Sequence, residues 1–288
     1  MKPIDLARLF LLAALWGGSY LFIRIAAPVL GVFFTISLRV ILAACALVLY
    51  AAFTQQLPNL RSRWQSYLLL GLLNNAIPFT LIAFAVVNLN ASVAAILNAT
   101  TPLFTASVAA IWLKERLERR KIMGLLLGIA GVAVLVGWSP LPLSLPAILG
   151  GLSALIAALS YGIAAVYARI RFTHNRAIET ATGQLVGSSV LLIPVTFTSI
   201  PNIIPTGNII LALVTLAIAC TAIAYLLYFQ LISNSGATQA VTVTFLIPVF
   251  SLLFGNIFLG EPVNSGLIFG LITILLSVWL VINPKQQK

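Results

Sequence analysis

Reactive side chains are scarce in this chain, and that scarcity limits what chemistry it can do. Its acids are Asp5, Glu115, Glu118, Glu179 and Glu261, its one histidine is His174, and its cysteines are Cys45 and Cys220. Both cysteines sit inside apolar runs, which supports neither a disulfide framework nor a metal site. One histidine in a basic segment cannot build a His/Cys cluster. No Ser/His arrangement, carboxylate pair or histidine cluster falls within the apolar runs, so no catalytic residue, metal or cofactor is expected and an enzyme is disfavoured.

The apolar runs do hold neutral polar and aromatic groups at helical spacing, which is the chemistry of recognition. Asn98, Thr101 and Thr105 recur at i, i+3 and i+7 on one face, and Thr244, Ile247 and Ser251 hold the matching positions of a later run. Trp16 and Tyr20 share a face, as do Tyr161 and Ala165. Thr221, Tyr225 and Tyr228 share another, and their counterparts in the first half are Asn75, Phe79 and Ile82. Polar groups in lipid are costly and turn inward, so these positions are candidates to line a cavity. A single Thr or Ser can equally act as glue between helices, closing hydrogen bonds with a neighbour. Asn75, Asn98 and Tyr225, bulkier and symmetrically placed, are read as cavity lining. An aromatic cavity with neutral polar groups suits an amphipathic solute such as an apolar or aromatic amino acid.

Arg39 is the one charge well inside an apolar run. It is read either as an anchor that reaches the interface or as a carboxylate-binding group. Arg24, nearer the end of its run, is read as a snorkelling anchor. Pro102 and Pro248 sit mid-run, each freeing a carbonyl one turn back. Glu115 and Glu261 close their runs, either as boundary residues paired with nearby cations or as gate latches. No carboxylate lies in the middle of a run, which argues against a proton relay.

The elements that position these groups follow from composition. Hydrophobic residues make up 61% of the 288-residue chain and charged residues 7%, with mean hydropathy +1.12. That much apolar surface has no place in a soluble core, so the chain reads as a membrane protein in the bilayer. Its net charge of +11 lies in short clusters between apolar runs, a pattern that disfavours nucleic acid. Runs of about 20 apolar residues fall near 6–27, 32–53, 66–87, 91–113, 121–138, 147–168, 178–198, 207–231, 236–259 and 265–283. Ten transmembrane helices are therefore expected, in an all-α membrane protein. The first run has the composition of a cleaved signal peptide, but its mid-chain counterpart favours keeping it as a span. With the N-terminus inside, the basic clusters at Arg61 and Arg63, Lys114 to Lys121 and Arg169 to Arg176 are all cytoplasmic, and the outer connections hold no Lys or Arg. Both termini are then cytoplasmic, in a cell (inner) membrane.

The chain also repeats itself. Shifted by 146 residues, Pro102, Phe104, Ile111, Leu113, Glu115 and Gly124 fall on Pro248, Phe250, Ile257, Leu259, Glu261 and Gly270. Shifted by 145, Gly17 falls on Gly162, Arg24 on Arg169, Thr35 on Thr180 and Arg39 on Gln184. Two five-helix repeats are implied, 1–140 and 141–288. Because five is odd, the second enters from the opposite face, giving inverted repeats of the kind used for alternating access. A channel needs no such symmetry and would show a charge ring or carbonyl filter, for which the chain has no signature. "GLLLGIAG" from Gly124 and "GLIFG" from Gly266 are small-residue faces for packing within the bundle or for a homodimer; otherwise the chain is a monomer.

The "LWGGSYLFIR" of the first run, "LRVILAA" of the second, and the "ASVAAILNATTPLFTASVAAIWLKERL" block followed by "GLLLGIAGVAVLV" resemble the EamA family of the drug/metabolite transporter superfamily. The resemblance spans nearly the whole chain and is silent on substrate. It implies two five-helix bundles around a cavity formed by the first, third, fourth, sixth, eighth and ninth helices, and export of amino acids or other small metabolites, or of drugs and other amphipathic solutes. Tyr161 stands where the first half has Trp16, so the two gates differ.

Overall fold

A computed structural model describes residues 2–114, 119–138, 144–173, 175–235, 240 and 243–282; Glu115 and His174 lie outside the described residues. The regular structure among those residues is helical, with no strand. Helices α1 (Pro3–Leu30) and α2 (Val32–Phe53) are joined by the single residue Gly31. The third apolar run is α3 (Leu60–Gly71), a π-helical turn (Leu72–Ala76) and α4 (Ile77–Asn88) end to end. The fourth is divided into α5 (Ala91–Asn98) and α6 (Thr101–Trp112). Helix α7 spans Arg119–Trp138, α8 Leu145–Arg171 and α9 Ala177–Thr198. The eighth run is α10 (Gly207–Ala217), a second π-helical turn (Ile218–Ile223) and α11 (Ala224–Ser235). Helices α12 (Val243–Leu259) and α13 (Ser265–Ile282) complete the bundle.

Seven of the helical runs are long and apolar enough to cross a membrane, and Val243–Leu259 and Ser265–Val281 are shorter apolar helices. Packing follows membrane rather than aqueous rules. The helix-facing positions are small, with Ala13, Ala26, Ala43, Ala83, Ala94, Ala154, Ala157 and Ala181 all fully buried or nearly so, while Phe33, Phe53, Ile111, Phe197 and Phe258 face outward. Large apolar side chains lose nothing in lipid, whereas small ones let backbones approach and gain contact. The chain is a multi-pass membrane protein.

Two close approaches fix the frame. A Cβ added to Gly17 on α1 would stand 2.6 Å from Phe250 Cβ and 2.9 Å from the Ile247 carbonyl on α12. A Cβ added to Gly162 on α8 would stand 2.9 Å from the Thr105 nitrogen and 3.1 Å from Phe104 Cβ on α6. These are the positions that the two sequence shifts pair. Helices α7 and α13 meet in the same manner: a Cβ on Gly124 would lie 2.9 Å from the Ser277 carbonyl, and one on Gly270 2.7 Å from Leu135 Cβ. The glycine faces of these two helices are thus directed at each other within one chain.

The π-helical turns also fall at matched places, beginning at Leu72 and Ile218. A π turn widens the helix by one residue per turn and leaves polar groups to be met by side chains. Asn75 lies in the first and Thr221 in the second.

Candidate functional site

Arg39 is the centre of the site. Its turn of α2 is packed against α9 and the second π turn, and its residue surface is only 4% exposed. Its Nε donates to Thr221 Oγ1 at 2.9 Å, and Thr221 donates in turn to the Leu216 carbonyl five residues back, at 2.8 Å. That second bond is the one a π turn makes available. The guanidinium lies over the Phe79 ring, 3.8 Å from its centroid, a cation–π contact from α4. Tyr20, Tyr161, Cys220 and Tyr225 are its electrostatic neighbours. Arg39 therefore reaches no interface as an anchor would; it is held inside the bundle by a hydroxyl and an aromatic face.

Most of the aromatic and amide positions expected from the sequence meet around it. Tyr225 donates to Asn75 Oδ1 at 3.1 Å, and Asn98 Nδ2 donates to Tyr20 Oη at 2.9 Å. The Trp16 ring lies 6.5 Å from Tyr225 and 5.3 Å from Tyr228, and Phe79 lies 6.5 Å from Tyr161. Asn75 is fully buried, yet its Nδ2 has no hydrogen-bond partner among the described residues, and neither has Asn98 Oδ1. Buried amide ends left open in this way are uncommon and costly, on the order of 1–3 kcal/mol each.

The prolines differ between the two halves. Pro102 has no N–H to return to the Asn98 carbonyl, the helix is broken between Asn98 and Thr101, and Thr101 Oγ1 takes that carbonyl at 2.7 Å. The Thr101 hydroxyl thus repairs the helix. Pro248 sits inside the continuous α12, and Thr244, one turn earlier, is half-buried.

Two residues that the sequence did not single out as site members belong to the cluster. Gln184 on α9 accepts from Asn74 Nδ2 at 2.8 Å and lies close to Tyr225. The shift that pairs it with Arg39 was the available signal. Asn74 sits beside Asn75 in the π turn. Arg24 also departs from expectation: its Nη1 donates to the Val86 and Val87 carbonyls at 2.6 and 2.8 Å, closing the end of α4 rather than snorkelling.

Glu261 is held at one end of the bundle and meets no cation among the described residues. Gly260, with φ 65, turns the chain after α12, so that the Glu261 N–H bonds the Gly255 carbonyl at 3.0 Å. The carboxylate then receives the Ala91 N–H at 2.6 Å, the Ser92 N–H at 3.1 Å and the Ser92 hydroxyl at 2.6 Å. These donors open α5, where the helix dipole favours an anion. The carboxylate is a clasp between the end of α12 and the start of α5, and the residue is 8% exposed. The corresponding turn before Glu115 has Lys114 at φ 55.

A separate pocket of about 390 Å³, between α6, α7 and α8, has an almost wholly apolar lining that includes Leu103, Phe104, Leu125 and Ile129, and it shares no residue with the Arg39 cluster. Among the described residues no group of three or more His, Cys, Asp or Glu could hold a metal.

The comparisons with known proteins agree with this arrangement. Residues 6–137 and 148–283 both match the EamA-like transporter family. The chain belongs to that family. This EamA-like protein is 29% identical to the uncharacterized transporter YvbV of Bacillus subtilis (strain 168), over 100% of its own length and 96% of the relative's. It is 25% identical to the uncharacterized transporter YoaV of the same organism over 75% of each chain. It is 27% identical to the chloroplastic WAT1-related protein At3g02690 of Arabidopsis thaliana, over 94% of this chain and 67% of the relative. One solved crystal structure superposes with a TM-score of 0.68 at 19% identity, covering 97% of this chain and 96% of the other, which speaks to the fold alone. The EamA-like chain is a membrane transporter.

Proposed function

We propose that this transporter is a secondary carrier that exports small metabolites, amino acids foremost, by alternating access through a site between two inverted five-helix repeats, 1–140 and 141–288, each crossing the membrane five times. The observation that carries the reading is the buried cluster at Arg39, Asn75, Asn98 and Tyr225. It draws side chains from α1, α2, α5, α11 and both π turns, and it leaves a buried amide nitrogen and a buried amide oxygen without a hydrogen-bond partner among the described residues. Helix packing alone has no use for such groups; a solute that enters has. The matched contacts at Gly17 and Gly162, the paired π turns and the two family matches support the repeat.

With the N-terminus in the cytoplasm, the Glu261 clasp lies on the outer side, and the described structure is one in which the outer ends of α5 and α12 are closed on each other. The matched latch on the inner side is Glu115, which lies outside the described residues. In this reading Glu115 and Glu261 are latches, and Pro102 and Pro248 are points where their helices flex. Without a carboxylate inside a span, transport runs on the solute's own gradient or by exchange rather than by tight proton coupling.

The test is counterflow in proteoliposomes with a radiolabelled panel of amino acids, quaternary drugs and nucleosides. Saturable exchange of one class supports a carrier. Flux that grows linearly with concentration supports a channel. Strong saturable acceleration by an imposed pH gradient overturns the energy coupling.

A further inference from the structure

We propose that Arg39 is the recognition point for an anionic group, so that the transported solutes are amphipathic carboxylates; this rests on the carrier reading above and names its substrate class. A guanidinium has five N–H donors. Arg39 uses Nε on Thr221, and its Nη groups make no hydrogen bond among the described residues. The titratable groups close enough to interact with it electrostatically are Tyr20, Tyr161, Tyr225 and Cys220, the Phe79 ring lies under it, and no carboxylate is among them. Buried charges in folded proteins are paired or bound to a ligand, and charges within spans are kept for function. A buried cation with neutral neighbours leaves its counter-charge to what the site binds.

The matched position in the second half excludes a purely architectural need for the charge. Gln184 occupies it as a neutral amide and is satisfied by Asn74 at 2.8 Å. The same place between α2 and α9 is thus filled without a cation, and the first half carries one all the same. Thr221 fixes the guanidinium from one edge and Phe79 from one face, which leaves the Nη edge for a bidentate carboxylate. The open Asn75 Nδ2 adds a donor for the anion and the open Asn98 Oδ1 an acceptor for an ammonium. The Trp16 and Tyr161 rings suit an apolar or aromatic side chain.

The experiment compares phenylalanine, 3-phenylpropionate, phenylalaninamide and phenethylamine, each as tracer and as competitor in counterflow with the wild-type protein, beside the wider panel of the preceding test. Carboxylate-bearing solutes are expected to exchange about tenfold or more better than their carboxyl-free analogues, the loss that goes with one charge-assisted hydrogen bond. Arg39→Gln, which installs the residue of the matched position, is expected to remove that preference, and Arg39→Lys to restore part of it. The analogue series on the wild type does not depend on how well the variants fold, and their thermal melting in detergent is measured alongside. If carboxyl-free analogues exchange equally well, or Arg39→Gln keeps the preference, anion recognition is overturned while the carrier stands. If no solute in either panel exchanges, the carrier reading fails and the inference falls with it.

Discussion

The two π-helical turns, Leu72–Ala76 and Ile218–Ile223, stand at matched places in the chain and present different chemistry. In the second, Thr221 accepts from Arg39 while donating to its own backbone. In the first, Asn74 donates to Gln184 and Asn75 accepts from Tyr225, leaving an amide nitrogen open. Backbone geometry is therefore alike across the two halves, and charge is not. A helix interruption can be copied because it depends on pitch and close packing. A cation copied with it would place two like charges in one site, which costs far more in a low-dielectric interior than in water. The difference teaches that the scaffold and the recognition chemistry are separable in this fold.

A second contrast is at the helix ends. Gly260 and Lys114 occupy matched turns with φ 65 and φ 55, each immediately before a glutamate. Glycine adopts that conformation freely, whereas a side chain there costs roughly 1–2 kcal/mol.

These contrasts can be broken or sharpened by substitution. The largest effect is expected at Glu261, because Glu261→Ala leaves two backbone N–H groups and the Ser92 hydroxyl without an acceptor in a buried place. A loss of about 3 kcal/mol is expected, read as a fall in the midpoint of denaturant unfolding in detergent, with Ser92→Ala costing about 1 kcal/mol by the same measure. Next come the crossing glycines. Gly17→Ala and Gly162→Ala should each destabilise by about 1–3 kcal/mol, and Gly17→Ala by more, since its Cβ would stand 2.6 Å from a neighbouring Cβ where the nearest atom to that of Gly162 is 2.9 Å away. Equal losses would show that one helix crossing yields more readily than its geometry implies. Thr221→Val removes the acceptor that aligns Arg39 and leaves its buried Nε unpaired, so the half-saturation concentration for an exchanged carboxylate is expected to rise about tenfold, with a loss of about 1 kcal/mol read from the unfolding midpoint. The smallest effects are expected at the turns, where the sign should reverse: Lys114→Gly stabilises by roughly 1 kcal/mol and Gly260→Ala destabilises by about as much, both read from unfolding midpoints.

How far the sequence led depends on the residue. The run expected at 32–53 is α2, Val32–Phe53, because a continuous apolar stretch between a glycine and a polar turn has no other way to satisfy its backbone in lipid. The run expected at 66–87 is preceded by a capped turn from Leu60, where Asn59 accepts the Ser62 N–H in polar sequence that hydropathy passes over, and a kink at Arg63 (φ -125) separates that turn from the continuous helix. The run expected at 91–113 is split at Pro102 rather than bent, and Thr101, read as a candidate for the cavity, closes the carbonyl that the proline frees. Tyr20, Asn75, Asn98, Tyr161 and Tyr225 were legible because inward-facing polar and aromatic groups stand out in an apolar helix. Gln184 and Asn74 were not, since their place depends on a π turn that no residue type announces.

By itself, the sequence determined that this protein lives in a bilayer, that its elements are helices and that its two halves echo each other, since hydropathy, period and spacing are properties of neighbours along the chain. Tertiary structure alone decided that Arg39 meets Thr221 across 182 positions and that Glu261 closes on the start of α5. Both are contacts between residues remote in sequence, and their partners are chosen by how helices cross rather than by what lies beside them in the chain.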